Sequence, residues 1–362
     1  MSKKNLREGV TTGTCAAAAA RASVEWQICG KCPDQVEILT PYGKRIELQI
    51  IPHAFPKCGV IKDAGDDPDV TDGCEVVAEV HLKEDVGKIS FSAGEGIGII
   101  TAPGLKIPVG EAAINPVPRE MIEKEIREIA GDVEAHVVIS IPGGTEIAKR
   151  TFNPRVGIKG GLSILGTTGI VRPMSESAMI ESLKVYLSVA AASDAEYLIF
   201  VLGESGEKSV RKYLMTCGKD LNKTAFVLVS NYIGIMLDEA KKLGVKKILL
   251  AGTGGKLVKV AADIMNTHSH VADGRMETIC TFAAMAGADA AVIRKLYASR
   301  TVVEANGILR SENLMGIWQA ISDKAAEKCQ LRTQHCVETA VLLLDEKGCL
   351  LGKSKNMEAV SG

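Results

Sequence analysis

Residues 247–277 read KILLAGTGGKLVKVAADIMNTHSHVADGRME. The apolar run 248–251 ends in a glycine-rich turn at Gly252, Gly254 and Gly255, after which Leu257, Val260, Ala261 and Ile264 recur at helical spacing. Strand, loop and helix in that order predict one unit of a parallel α/β sheet. In such a sheet the residues just past a strand's C-terminal end line the ligand crevice. Farther on, Thr267, His268, His270, Asp273, Arg275 and Glu277 crowd six polar or titratable groups into eleven residues. A buried core has no use for that density, whereas a site does.

Similar units precede this stretch. Residues 162–165 lead into GTTG (166–169) and a helix over 174–193; residues 197–202 lead into GESG (203–206) and a helix to 217; residues 225–229 lead into SNYIG (230–234) and a helix to 243. Four strand–turn–helix units predict a parallel sheet with right-handed crossovers and four turns on one edge. Downstream, a helix over 313–327 and a strand over 339–344 return to the core, and the polar last residues are expected to be mobile. The second expected domain is therefore residues 151–362, a three-layer α/β, Rossmann-like domain with a parallel sheet.

The first 150 residues read differently. VTTGTCAAAAARASVE (10–25) predicts a threonine-capped helix with a face of small residues, made either for close helix-on-sheet packing or to offer Thr11, Thr12 and Thr14 to a ligand. The alternating runs VEIL, RIELQII and EVVAEVHL predict antiparallel strands. Between them KDAGDDPDVTDG (62–73) carries five aspartates in twelve residues; it suits a solvated turn, a hard-cation site or polar contacts to a cofactor, and lacks calcium-loop spacing. Gly94, Gly96 and Gly98 have no βαβ unit around them, so they predict bends and close backbone approach rather than a dinucleotide fingerprint. A helix over 119–130 and a strand over 135–141 complete an α+β N-terminal domain with a mostly antiparallel sheet. Residues 142–161 read as the crossover between domains, gathering Lys149, Arg150, Arg155 and Lys159 into a solvated face or an anion-receiving rim.

Totals set the outer limits. A chain of 362 residues suits two domains, and 46% hydrophobic with 24% charged residues is the composition of a globular protein. Its 43 basic residues nearly balance 44 acidic ones, so no global basic field points to nucleic acid. Uncharged runs such as 9–20 and 160–171 fall short of the roughly 20 apolar residues of a membrane span. Lys3, Lys4 and Arg7 precede the alanine run as in a signal peptide, but that run lacks leucine or phenylalanine, which favours a helix of the mature protein. Ten cysteines are too sparse for a disulfide scaffold and fit a reducing cytoplasm.

Individual motifs add less. Cys29 and Cys32 form CGKC without a second close pair, so two ordinary thiols are expected ahead of structural zinc or a redox pair. GTGGK lacks the spacer and the Ser or Thr of a phosphate loop. His268 and His270 lack a third ligand at metal spacing and serve either as backbone partners or in catalysis.

Five segments, GVTTGTCAAAAARA, KDAGDDPDVTDG, GEGIGIITAPGLKIPVGEAAINPVPREMI, FNPRVGIKGGLSILGTTGIVRPMS and KLVKVAADIMNTHSHVADGRME, resemble the cobalt-precorrin-5B C(1)-methyltransferase family of anaerobic cobalamin biosynthesis. They run from residue 9 to residue 277. Members of that family carry histidine in a GHxGK turn where this chain has Thr253 in GTGGK, so no role of that histidine passes to this chain. The resemblance implies methyl transfer from S-adenosyl-L-methionine to carbon 1 of a cobalt tetrapyrrole, giving cobalt-precorrin-6A, with cobalt present only as part of the substrate and no metal site in the protein.

Methyl transfer to carbon is an in-line displacement in which the protein aligns donor and acceptor and excludes water. The expected catalytic residues are His268, Asp273 and Arg275. The donor is expected at Gly166, Thr167, Thr168, Gly203, Glu204 and Asn231. The acetate and propionate groups of the tetrapyrrole are expected at Thr11, Thr12, Thr14, Arg119, Arg155, Lys159, Arg172, Lys256 and Lys259, since Arg and Lys forks suit carboxylates. A nucleotide-dependent enzyme or a non-catalytic corrinoid carrier would use the same sheet edge. A homo-oligomer is compatible with the sequence.

Overall fold

The computed structural model describes residues 6–83 and 85–361; Lys3 and Lys4 lie outside them. The chain divides into two compact units, Met1–Ala178 and Met179–Gly362.

Helix α1 (Thr12–Cys29) is the spine of the first unit. Thr11 caps its start, accepting the Thr14 N–H at 3.2 Å, and Gly30 in the left-handed conformation ends it. Ala16 to Ala20 and Ala22 have no exposed surface at all. Only methyl-sized side chains allow so close an approach to helix α2 (Pro116–Ala130) and to the strands Cys58–Ile61 and Glu75–Lys83, so the small face serves packing. Arg21 joins the two helices through Glu125 at 2.6 Å, and Ser23 Oγ accepts the Val80 N–H at 3.1 Å.

The sheet beneath runs in the order Ile51–Pro52, Cys58–Ile61, Glu75–Lys83, Glu134–Ser140, Ile89–Ala93, antiparallel throughout except its last pair. Residues of Glu134–Ser140 alternate between full and partial burial, the pattern of a sheet with one face on a core. The expected hairpin is present as Gln35–Leu39 and Arg45–Gln49.

The glycine-rich stretches knit one layer of this unit. A Cβ on Gly96 would lie 2.0 Å from the Ile141 carbonyl oxygen, and the Gly96 carbonyl oxygen comes within 2.5 Å and 2.3 Å of the Cβ positions of Gly144 and Gly161. Three backbones cross there with no room for side chains. Residues 142–161, expected as a crossover between domains, thus belong to the body of the first unit.

The second unit holds a five-stranded sheet, Thr224–Leu228, Tyr197–Val201, Lys247–Thr253, Glu338–Leu344 and Leu350–Lys353; the first four strands are parallel and the last antiparallel. The helix Glu204–Thr216 and the C-terminal helix Met357–Ser361 pack on one face, through Tyr197, Ile199, Leu249 and Leu342. Leu198, Phe200, Leu250 and Val341 are buried on the other, so the sheet is covered on both sides.

Two expectations are corrected here. Residues 162–169 supply no strand of this sheet: Leu162 and Ile164 fill the core of the first unit, bridging Ile97 and Ile114, and Ile170–Val171 pairs with Gly9–Val10. The fourth parallel strand is Glu338–Leu344 instead, which pairs with Lys247–Thr253 along its whole length, while the LSIL run is taken up by the core of the first unit. Nor is the C-terminus loose, since Met357 and Val360 are buried and Glu358 pairs with Lys219 and Lys353 at 2.9 Å.

Candidate active site

Strand order reverses in the second unit between Tyr197–Val201, which leads to Thr224–Leu228 on one side, and Lys247–Thr253, whose continuation reaches Glu338–Leu344 on the other. A parallel sheet opens a crevice beyond the carboxyl ends of its strands at such a point. Gly203 and Glu204 open one helix there, and Gly254 and Gly255 open the helix Gly254–Ala261.

At Gly254 a Cβ would press on the end of a side chain, 2.9 Å from Leu351 Cδ1. Its neighbours are different. A Cβ on Gly203 or Gly206 would meet nothing within 4 Å, and one on Gly255 only Glu346 Oε1 at 4.0 Å. None of the three has a positive φ, so neither packing nor backbone conformation demands glycine, and their open faces suit the close approach of a ligand.

A second constellation adjoins it. Asn231 follows Ser230, which takes the unusual φ of 51° to turn the chain at the end of Thr224–Leu228. The Asn231 Oδ1 accepts from Lys256 Nζ at 3.1 Å and from Thr267 Oγ1 at 3.2 Å, and its backbone carbonyl accepts the Thr267 N–H at 3.0 Å. The loop carrying His268 is therefore registered on the strand end. His268 Nδ1 accepts the His270 N–H at 3.2 Å, so a neutral His268 carries its proton on Nε2, and both rings are exposed.

Lys259 holds this loop from beneath. Its side chain is 4% exposed, with Nζ donating to the Thr267 and Ala272 carbonyls at 3.2 and 2.8 Å, and burial lowers its pKa. It anchors the loop, its ammonium spent on two loop carbonyls rather than set on the surface as expected for a substrate contact. Asp273 and Arg275 close on each other through two bonds of 2.5 and 2.7 Å; the guanidinium holds the Asp273 carboxyl below its ordinary range. Lys256 remains exposed beside Asn231.

In the first unit the structure reassigns several candidates. Thr12 Oγ1 donates to the Leu165 carbonyl and accepts the Leu165 N–H, while Thr14 Oγ1 donates to the Gly169 carbonyl at 2.8 Å. With Thr11 capping α1, the three threonines staple residues 165–169 to the helix, which is why three are needed. Gly166 fits against Thr11, whose Oγ1 would lie 2.3 Å from a Cβ, and the Thr168 hydroxyl donates to Ile170. Gly166 and Thr168 thus serve that staple, and Thr167 sits exposed at the turn in the first unit, off the parallel sheet. Arg119 clasps the Ile114 and Ala112 carbonyls and Glu111 and lies over the Phe91 ring. Arg172 pairs with Glu8 and stacks 4.4 Å from the Tyr42 centroid. Arg155 and Lys159 are exposed on the glycine-knit layer, Lys159 on a two-residue strand paired with Ile99–Ile100.

The acidic loop 62–73 spends its charge on itself. Buried Lys62 donates to Asp69 at 2.8 Å, and burial of Asp69 is outweighed by that lysine and Thr71, so its pKa falls. Arg7 pairs with Asp63 and brings it down to about 2. Asp66, Asp67 and Asp72 accept backbone N–H groups of Arg7, Met174 and Ala64. Among the described residues no group of three or more His, Cys, Asp or Glu side chains could hold a metal ion. No described helix is long and apolar enough to cross a membrane.

Sequence reasoning missed Thr267 as a partner of Asn231, Lys259 as a buried anchor, and Glu346 beside Gly255. Each depends on which strands neighbour one another. Only the proximity of 266–275 to a glycine turn hinted at them.

Comparison with known proteins finds matches in both units. The CbiD family model matches residues 1–173, and the model of the CbiD C-terminal domain matches residues 266–355. A cobalt-precorrin-5B C(1)-methyltransferase of Alkaliphilus metalliredigens (strain QYMF) is 41% identical over 353 residues, covering 96% of this chain and 92% of the relative. A protein of the same name from Methanocaldococcus jannaschii is 40% identical, covering 97% of each chain. The 1.9 Å crystal structure of a cobalamin biosynthesis protein (cbiD) from Archaeoglobus fulgidus is 29% identical over 74% of this chain and 83% of that one, with a TM-score of 0.39. Matched by the family's models at both ends, and some 40% identical along its length to curated relatives, the chain belongs to the CbiD family.

Proposed function

We propose that the chain transfers a methyl group from S-adenosyl-L-methionine to carbon 1 of cobalt-precorrin-5B, giving cobalt-precorrin-6A. The observation that carries this reading is identity near 40% along nearly the whole chain to relatives bearing that activity in their names. The crevice of the second unit supports it, because Gly203, Gly206 and Gly255 turn open glycine faces toward a ligand that must approach backbone closely.

When bound, the sulfonium donor supplies an electrophilic methyl group. The chain's part is then alignment and exclusion of water. Gly203 and Gly255 leave room for the donor, Glu204 offers a carboxylate at the crevice, and Asn231 fixes Lys256 and the 266–273 loop beside it. His268 presents Nε2 as a hydrogen-bond donor or proton carrier, and the Asp273–Arg275 pair stiffens the end of its loop. Lys256 is an exposed cation suited to the acetate and propionate groups of the tetrapyrrole. Arg119, Arg172, Lys259 and the three threonines act through the fold.

Incubation with cobalt-precorrin-5B and methyl-labelled S-adenosyl-L-methionine tests the proposal. Label entering the tetrapyrrole, with S-adenosylhomocysteine released in equal amount, is the expected result. Label staying on the donor in the presence of intact substrate overturns it.

A further inference from the structure

Helix α1 ends at Cys29, and the left-handed Gly30 turns the chain so that Cys32 meets Cys58, the first residue of the strand Cys58–Ile61. Their Sγ atoms are 3.6 Å apart. Cys58 is buried, Cys32 half-buried and Cys29 exposed. A second contact holds the same two segments: Trp26, in the last turn of α1, meets Phe55, three residues before Cys58, edge to face, with ring centroids 5.4 Å apart. The sulfurs are thus registered by packing that does not involve them. Burial, helped by the contact with Cys32, raises the Cys58 pKa and keeps it a thiol at neutral pH.

We propose that Cys32 and Cys58 form a thiol–disulfide exchange site whose co-reactant is a low-molecular-weight disulfide, independently of the methyl-transfer reading. Cys32, the more accessible partner, loses its proton to solvent and attacks one sulfur of the small disulfide; that S–S bond breaks and a small thiolate leaves and is protonated. Cys58 then attacks the Cys32 sulfur of the mixed disulfide, its proton passing to the second departing thiolate. Two protein thiols are oxidised by two electrons, and one small disulfide is reduced to two thiols. The sulfurs, already 3.6 Å apart, close to a bond of about 2.05 Å.

The full chain, first reduced and then treated with glutathione disulfide at neutral pH, tests this by thiol alkylation and peptide mapping. A peptide pair linked through Cys32 and Cys58 is expected, together with a thermal midpoint raised by several degrees, since the bridge closes a loop between residues 26 apart; dithiothreitol should reverse both. Cys32→Ser, on a half-buried turn, should fold as before and lose both the link and the shift. A Cys29–Cys32 link, glutathione on Cys32 with Cys58 still a thiol, or no reaction at either sulfur overturns the proposal.

Discussion

Asn231 and Thr267 are bonded twice, once through their backbones at 3.0 Å and once from the threonine hydroxyl to the asparagine side-chain oxygen at 3.2 Å. The pair fastens a loop with little regular structure to the end of a buried strand, and Thr267 itself is 3% exposed. Asn231→Ala leaves the Thr267 hydroxyl and the Lys256 ammonium without their shared acceptor. Stability should fall by about 1 kcal/mol, and kcat/KM for methyl transfer by about tenfold or more as the His268 loop loosens. Thr267→Ser, which keeps the hydroxyl, should retain most of the activity. Equal activity in Thr267→Ser and Thr267→Val would remove the positioning argument.

Two glycines should respond in opposite ways. Gly255→Leu replaces a poor helix former in a first turn with open space beside it, so stability should hold or rise, by up to about 1 kcal/mol. The same side chain would occupy the face assigned to the donor, and calorimetry with S-adenosylhomocysteine should show affinity reduced at least tenfold. Gly96→Ala drives a Cβ into the Ile141 carbonyl at a φ of 71° and should prevent stable folding, read as loss of the cooperative thermal transition. Unchanged affinity in Gly255→Leu would move the donor elsewhere.

Lys256 and Lys259 lie three residues apart and should separate cleanly. Lys259→Met removes the donor to two loop carbonyls from a buried site and should cost about 2 kcal/mol, with faster amide exchange across 266–273. Lys256→Met, on the surface, should change stability by less than about 0.5 kcal/mol while raising KM for the tetrapyrrole. A stable Lys259→Met protein with an ordered loop would show that the anchor is dispensable.

Asp63 supplies the pH dependence. Arg7 brings its folded pKa down to about 2 from the ordinary 3.8, so the folded state holds its proton less tightly than the unfolded chain. Its stabilising contribution is therefore complete above the unfolded value and is lost as pH falls from about 4 toward 2. The pair is more than half exposed, so solvent screening keeps the effect small. Urea unfolding of wild type and Asp63→Asn at pH 6 and pH 2.5 should show the difference between them shrinking at the lower pH; a constant difference would count against the ion pair.

Secondary structure was legible wherever the pattern was local. The alanine run of α1, the alternating strands 75–83 and 134–140, and the strand–turn–helix units at 197, 224 and 247 all follow from period, caps and glycine turns. The turn at 166–169 misled because GTTG looks the same whether it follows a sheet strand or staples a helix cap. What distinguishes the two is Thr11, Thr12 and Thr14 at its back, more than 150 residues away in the chain.

Sequence alone determined the two kinds of architecture, the family resemblance and the segment in which chemistry is concentrated, because periodicity and motif spacing are properties of neighbouring residues. Tertiary structure decided which strand stands fourth in the parallel sheet, that Arg119, Arg172 and Lys259 are spent on internal partners, and that Gly203 and Gly255 face open space. Those outcomes turn on partners brought together by burial, and a cation or a glycine carries no mark in the sequence of whether a carbonyl, a side chain or a vacant crevice will meet it.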